Sequence, residues 1–124
     1  MTDGRDPPAD LIVIRGIRML GTHGVLPHEQ TRPQPFEVDV ELAVDTTSAG
    51  TSDALTDTVD YGAVVAAVTR VVERERHALL ERLAARIAAV CREDPRVLTA
   101  TVTVRKLAPP LGALVRDVGV RITR

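Results

Sequence analysis

Aromatic residues are almost absent from this chain. Phe36 and Tyr61 are the two that occur, and there is no tryptophan. The core must therefore be built from valine, leucine, isoleucine and alanine, which leaves few side chains able to stack on a flat ligand. Tyr61 is consequently the first candidate for a stacking residue if the chain binds a planar molecule.

Cysteine is just as scarce. The single Cys91 has no partner within the chain, and it follows Ile87, Ala88 and Val90 in a helical pattern. We expect a buried, reduced thiol rather than a disulfide or a nucleophile. A lone buried cysteine is typical of a reducing compartment, so the predicted location is the cytoplasm.

Neither charge nor hydrophobicity is concentrated in one segment. The 16 basic and 17 acidic residues are mixed along the chain, and no basic block favours nucleic-acid binding. No apolar stretch reaches the length needed to cross a membrane. Residues 1–10 are polar and contain prolines, which predicts a disordered N-terminal extension, and residues 11–124 are expected to form one domain.

Several common functional motifs are also missing. The patterns GxGxxG, GxxxxGK[ST] and GxSxG do not occur, so dinucleotide-binding, P-loop and hydrolase functions have no support. His23 and His28 suggest a metal only weakly, because no cysteine pair or HExxH spacing accompanies them. We expect His23 to order the glycine-rich loop, and we predict neither a metal nor a cofactor.

Hydrophobic periodicity predicts strands near both ends of the chain. Alternation with a period of two occurs in three segments: Phe36 to Asp45, Leu98 to Val104 and Val118 to Ile122. A fourth segment, Leu11 to Leu20, is rich in β-branched and apolar residues and is also expected to be a strand. Gly16 interrupts this fourth segment and predicts a β-bulge. Thr46 to Thr58 is polar and rich in turn residues, so we expect a connection there.

Two helices are predicted between the strand pairs. Helical spacing of apolar residues runs from Val64 to Val72, with Thr58 or Asp60 as the cap, and from Leu79 to Cys91. The order ββααββ favours an α+β fold, with an antiparallel four-stranded sheet and two helices on one face. Such a sheet has two open edges, which suggests that neighbouring chains close it.

Four polar residues lie beside the ends of these elements: Glu29, Tyr61, Glu81 and Lys106. Alternation through Val104 puts Lys106 on the apolar face. There it would lose hydration, which suits a side chain that exchanges protons with a ligand, unless the side chain extends to solvent. Each of the other three also has an ordinary explanation. Glu29 would be a solvated loop carboxylate, Tyr61 a core residue, and Glu81 a first-turn carboxylate favoured by the helix dipole.

The segments around these residues carry a family resemblance. They are GVLPHEQ from Gly24, DTVDYG from Asp57, LLERLA from Leu79 and VRKLAPP from Val104. In this order they resemble the dihydroneopterin aldolases, pterin-binding lyases of the folate pathway that have the tunnelling fold. The resemblance covers residues 11–124. It implies a homo-oligomer, expected to be an octamer, whose sheets close into a multi-subunit barrel with sites between chains.

The resemblance also implies a role for each residue. Glu81, with the backbone of Leu80, would bind the pterin edge, and Tyr61 would stack on the substrate or transfer a proton to it across a subunit boundary. Lys106 would be the general acid/base, and Glu29 would contact the substrate hydroxyls and the proton-transfer network. Cleavage of 7,8-dihydroneopterin would then need neither metal nor Schiff base, because the conjugated C=N of the dihydropterin takes up the electron pair.

Two alternatives remain open. An epimerase acting on dihydroneopterin or its triphosphate would use the same side chains, and Arg32 or Arg116 could then bind phosphate. A non-catalytic subunit that keeps the fold for assembly is the other, although the presence of both Glu81 and Lys106 argues against it.

Overall fold

A computed structural model describes residues 10–124, and the predicted order of elements is confirmed there. The strands are β1 (Leu11–Gly21), β2 (Gln34–Ala43), β3 (Thr99–Lys106) and β4 (Val118–Thr123), and the helices are α1 (Thr47–Ser52), α2 (Tyr61–Arg74) and α3 (Leu80–Cys91). The strands form one antiparallel sheet in the order β1-β2-β3-β4. The expected N-terminal extension lies outside the described residues except for Asp10, whose carboxylate accepts a hydrogen bond from Thr46 Oγ1 at 2.6 Å.

The core lies between one face of the sheet and the two long helices. Helix α2 packs on β1, and α3 packs on β3 and β4. The alternating residues of the central strands are fully buried on this side: Phe36, Val38, Val40 and Leu42 from β2, and Ala100, Val102 and Val104 from β3. Cys91 is buried in α3 as expected, and burial raises the pKa of its thiol to about 11.

The opposite face of the sheet is charged and uncovered in the single chain. Across β2 and β3, Arg105 Nη1 donates to Asp39 Oδ2 at 2.8 Å, and Arg121 of β4 lies 3.6 Å from Glu41. Desolvation of Asp39 opposes its ionisation, but hydrogen bonds from Gly16 and Arg105 outweigh it and lower the pKa of this carboxyl. One face of the sheet therefore holds the core, and the other presents paired charges.

Gly16 forms the bulge that its position predicts. The register of β1 against β2 shifts between Ile14 and Ile17, and Gly16 has a φ of 71°, a conformation that favours glycine. Its N–H donates to Asp39 Oδ1 at 2.7 Å. The bulge is thus held by a carboxylate from the neighbouring strand.

The expectation of a simple connection from Thr46 to Thr58 is wrong. This segment contains α1 and a short 3-10 turn over Leu55–Asp57. Helix α1 has six residues and no buried side chain, and a hydrogen bond of 2.6 Å between Ser52 Oγ and Asp57 Oδ2 links it to the turn. Because α1 buries no apolar face, hydrophobic periodicity could not detect it.

Candidate active site

Glu29, which is buried, and Lys106, which is mostly buried, form an ion pair where β3 ends beside the loop that follows β1. Lys106 Nζ donates to Glu29 Oε2 at 2.6 Å, and the side chains are 13% and 4% exposed, respectively. Lys106 is the last residue of β3, and its register partner is Phe36. Since β2 and β3 pair without a bulge, Lys106 lies on the apolar face, as the alternation predicts, and Arg105 points to the charged face.

Glu29 is buried, contrary to what is usual for a loop carboxylate, because the loop folds around it. It lies in a 3-10 helix over Pro27–Gln30. Its Oε1 accepts from the N–H of Leu26 at 3.3 Å, and its Oε2 accepts from Gln34 Nε2 at 3.0 Å. Burial opposes the ionisation of Glu29. Hydrogen bonds from Lys106, Gln34 and Leu26 outweigh that cost, so the pKa of the carboxyl lies below its ordinary value.

Gly24 makes this arrangement possible. It has a φ of 153°, and a Cβ added to it would lie 2.4 Å from Cδ of Glu29. Any larger residue would displace the carboxylate. The glycine is therefore required by the close approach of the Glu29 side chain as well as by its own backbone conformation.

Leu80 and Glu81 occupy the first turn of α3. Glu81 is exposed, and within residues 10–124 its side chain has no hydrogen bond or ion pair. The first N–H groups of a helix have no acceptor within that helix, so this turn offers backbone donors beside a free carboxylate. Such a combination can bind a planar group that carries both donors and acceptors along one edge.

Tyr61 lies apart from the Glu29–Lys106 pair within one chain. It is the first residue of α2, is 66% exposed, and lines an open groove of about 600 Å³. The groove also includes Ile12, Val13, Ile14, Leu55 and Val59. Lys106 pairs with Phe36 of β2, which in turn pairs with Met19 of β1. Ile14 pairs with Val40, four residues along β2 from Phe36, so the two positions are about 13 Å apart at about 3.3 Å per residue.

Two smaller cavities border the loop that carries Glu29. One, of about 200 Å³, is lined by His28, Glu29, Arg32, Pro33, Gln34, Ala108 and Pro110. The other, of about 430 Å³, is lined by Thr22, Gly24, Gln30, Thr31, Arg76, His77 and Ala78. Arg32 therefore adjoins Glu29, whereas Arg116 lines a groove on the charged face of the sheet.

His23 orders the glycine-rich loop, as expected. It is 1% exposed, its Nε2 lies 2.7 Å from the carbonyl oxygen of Val72, and its Nδ1 accepts from the N–H of His77 at 3.0 Å. The sequence offers no signal for His77 or Gln34 as its partners, since these contacts depend on how distant segments pack.

The described part of the chain contains no group of three or more histidine, cysteine, aspartate or glutamate side chains arranged to hold a metal ion. Among residues 10–124, no helix has the length and apolar character required to cross a membrane.

Comparison with known proteins identifies relatives along almost the whole chain. The FolB family model, described as dihydroneopterin aldolase, matches residues 12–123. A dihydroneopterin aldolase from Streptococcus pyogenes serotype M1 is 42% identical over 119 residues, which cover 93% of this chain and 98% of the relative.

Solved structures of dihydroneopterin aldolases also match this chain. The E. coli dihydroneopterin aldolase in complex with neopterin superimposes with a TM-score of 0.84 at 31% identity, covering 93% of this chain and 98% of that one. A dihydroneopterin aldolase from Burkholderia thailendensis bound to guanine gives a TM-score of 0.75 at 25% identity, covering 93% and 89%.

Proposed function

The chain belongs to the dihydroneopterin aldolase family, carbon–carbon lyases of the folate pathway, and on that premise we propose how its residues divide the reaction. The substrate is 7,8-dihydroneopterin, and the products are 6-hydroxymethyl-7,8-dihydropterin and glycolaldehyde. The observation that carries the proposal is the largely buried Glu29–Lys106 pair, which holds an ammonium and a carboxylate 2.6 Å apart.

The reaction requires two proton transfers. A base removes the proton of the 2′-hydroxyl, the bond between C1′ and C2′ breaks, and C2′ becomes the carbonyl of glycolaldehyde. The electron pair moves through C1′ into the C=N of the dihydropterin, which forms an enamine, and a proton returned to that enamine completes the product. Lys106 is the acid/base at the reacting side chain, and Glu29 orients the hydroxyls and completes the proton path.

Recognition of the ring falls to the first turn of α3. Neopterin and guanine, the ligands of the two solved relatives, share an edge with a ring N–H beside an exocyclic amine. One carboxylate can accept both donors, and Glu81 is a carboxylate without a partner among residues 10–124. The backbone of Leu80 completes this edge in our proposal.

Tyr61 reaches the substrate from a neighbouring chain. Within one chain it lies beside β1, at one edge of the sheet, whereas Lys106 lies on β3 next to the opposite edge strand β4. Pairing of β1 from one chain with β4 from another would extend the sheet and bring Tyr61 towards the partner's pair. Rings of four chains, closed into barrels and stacked in pairs, give the octamer that we propose, with the charged face lining the interior.

An epimerase acting on dihydroneopterin or its triphosphate is the second candidate, since it would begin with the same proton removal. Arg32 supports it, because this cation shares a cavity with Glu29. Arg116 supports it less, because it lies on the charged face of the sheet.

The test is a product analysis with free and triphosphorylated substrate in the presence of a chelator. We expect glycolaldehyde from 7,8-dihydroneopterin at a rate that chelation leaves unchanged. An epimer without glycolaldehyde would identify the second candidate. Pterin binding without turnover would indicate a non-catalytic subunit, and activity lost on chelation and restored by zinc would contradict the proposed chemistry.

A further inference from the structure

Reciprocal hydrogen bonds join the loop after β1, which contains His23, to the loop before α3, which contains His77. The N–H of His77 donates to Nδ1 of His23 at 3.0 Å, and the N–H of Gly24 donates to the carbonyl of His77 at 3.0 Å. Since Nδ1 accepts a hydrogen bond from a backbone N–H, the proton of the neutral ring must be on Nε2. Nε2 then donates to the carbonyl of Val72 at 2.7 Å, so both ring nitrogens are engaged in one tautomer.

The two loops carry opposite halves of the substrate site. The carbonyl of His23 accepts from Gln34 Nε2 at 3.1 Å, and the same amide nitrogen donates to Glu29 Oε2 at 3.0 Å. On the other side, His77 precedes the first turn of α3, with Leu80 and Glu81, by only three residues. A displacement at His23 would therefore alter the position of Glu29 relative to Glu81.

Packing leaves the imidazole little freedom. Its ring meets Phe36 edge-on with centroids 5.2 Å apart, and the His77 ring stacks on it at 5.7 Å with an interplanar angle of 9°. A Cβ added at Gly21 would lie 2.8 Å from the carbonyl oxygen of Val72, so the end of β1 is pressed against α2. These contacts hold the ring where its two hydrogen bonds have fixed partners.

We infer that His23 is a positioning residue for this reaction. Its neutral imidazole holds the loop of Glu29 and the first turn of α3 at the separation that the substrate must span. This inference rests on the proposed function, in which Glu29 and Lys106 act on the side chain of the substrate and Glu81 binds the far edge of its ring. His23 itself acts through those residues.

The inference implies that protonation of His23 inactivates the site. A second ring proton would occupy Nδ1 and abolish the hydrogen bond from His77. The charged and titratable groups that act electrostatically on the ring are Glu75 and His77 from the loop before α3 and Lys106 from β3, while α2 contributes the Val72 carbonyl. Burial is the largest influence and, with His77 and Lys106, it holds the pKa of His23 below its ordinary value against Val72 and Glu75.

Two variants distinguish the roles of the two ring nitrogens of His23. In His23→Asn the amide oxygen can replace Nδ1 as acceptor for His77, and in His23→Gln the amide nitrogen can replace Nε2 as donor to Val72. We expect kcat/KM to fall on the order of 10²-fold in His23→Gln, because this variant loses the hydrogen bond from the His77 N–H that joins the two loops. In His23→Asn, which keeps an acceptor for that bond, we expect a fall of less than about tenfold. The acid limb of the kcat/KM profile should move to lower pH in His23→Asn, because the titrating imidazole is gone.

Ile87→Val, a core change in α3, controls for lost stability. An equal loss of kcat/KM in both His23 variants, with no movement of the acid limb of the pH profile, would overturn the positioning role and leave His23 as a packing residue. Selective ¹⁵N labelling of histidine in the wild type adds a test without substitution. The Nε2–H tautomer is expected, and an Nδ1–H tautomer would overturn the inference. Absence of wild-type turnover would instead contradict the proposed function, and the inference with it.

Discussion

Each charge of the Glu29–Lys106 pair depends on the other, because a buried ion that loses its partner retains the full cost of desolvation. Removing Lys106 alone would leave Glu29, 4% exposed, with hydrogen bonds from Gln34 and Leu26 but no countercharge. A change at this residue therefore affects stability as well as catalysis. Experiments on the pair must separate the two effects.

We expect Lys106→Met to slow cleavage by roughly 10²–10⁴-fold, the usual contribution of a positioned acid/base, while pterin affinity changes little. The variant should also be less stable, and adding Glu29→Gln should recover stability without recovering turnover. Steady-state kinetics, pterin titration and denaturant unfolding of the single and double variants measure these effects. A Lys106→Met protein that cleaves at nearly the wild-type rate would exclude Lys106 as the acid/base.

Glu81→Gln should weaken pterin binding by about 1.5–3 kcal/mol or more, since charge-assisted hydrogen bonds are replaced by a neutral group that also carries donors. Because Glu81 is exposed and without a partner among residues 10–124, its replacement should leave the free energy of unfolding nearly unchanged. Calorimetric titration with neopterin gives the affinity, and Glu93→Gln near the other end of α3 is the control. Unchanged affinity would make Glu81 an ordinary first-turn carboxylate.

At the scale of elements, α2 and α3 are tied together by the loop between them. Arg86 of α3 donates to both carboxylate oxygens of Glu75 at 3.0 Å, and His77 Nε2 lies 2.8 Å from Glu75 Oε1. Hydrogen bonds from Arg86 and then His77 lower the pKa of Glu75 from 4.5 to about 2, although burial opposes the shift. The carboxylate therefore secures the loop that leads to the first turn of α3.

This contact predicts a specific acid sensitivity. A carboxyl with a depressed pKa stabilises the folded chain above pH 4.5, and the contribution is lost as the pH falls towards about 2. Glu75→Gln should therefore cost about 1–2 kcal/mol at neutral pH, and its difference from wild type should shrink through that window. Urea unfolding from pH 7 to pH 3 measures this, with Glu73→Gln on α2 as control. A difference that is constant with pH would contradict the assignment.

At the scale of the whole molecule, one chain leaves two sheet edges open and separates Tyr61 from Lys106. The exposed apolar residues include Leu11, Val13, Leu55 and Tyr61 near β1, and Leu111, Leu114, Val115 and Val118 at or before β4. Both edges therefore present apolar surface next to unpaired backbone. This distribution is expected for a chain that associates edge to edge.

Shared sites predict complementation between inactive chains. Co-expression of Tyr61→Ala with Lys106→Met should restore about one quarter of the sites, since random assembly joins an intact Tyr61 to an intact Lys106 at that fraction of heterologous interfaces. Lys106→Met with Glu29→Gln is the matched control, because both changes affect the same side of an interface. Activity per chain and light scattering provide the measurements. A fully active monomer would overturn both the assembly and the shared site.

Local patterns in the sequence determined much of the fold. Alternation identified three strands and helical spacing both long helices, because burial on one face imposes a period of two or 3.6 on neighbouring residues. The β-branched and apolar composition of Leu11 to Leu20 identified the remaining strand. The same alternation assigned Lys106 to the apolar face, and Gly16 marked the bulge. Helix α1 was not predicted, because it has no buried residue and therefore no apolar periodicity.

Tertiary structure alone decided which distant residues meet. Glu29 and Lys106 are 77 positions apart, and the His23 ring meets a backbone N–H 54 positions away. No local period reports such contacts, which arise when β1, β3 and the helix connection pack around one core. The burial of Glu29, the partners of His23 and the separation of Tyr61 from Lys106 follow from that packing, whereas the residue types and the faces they occupy were already determined by the sequence.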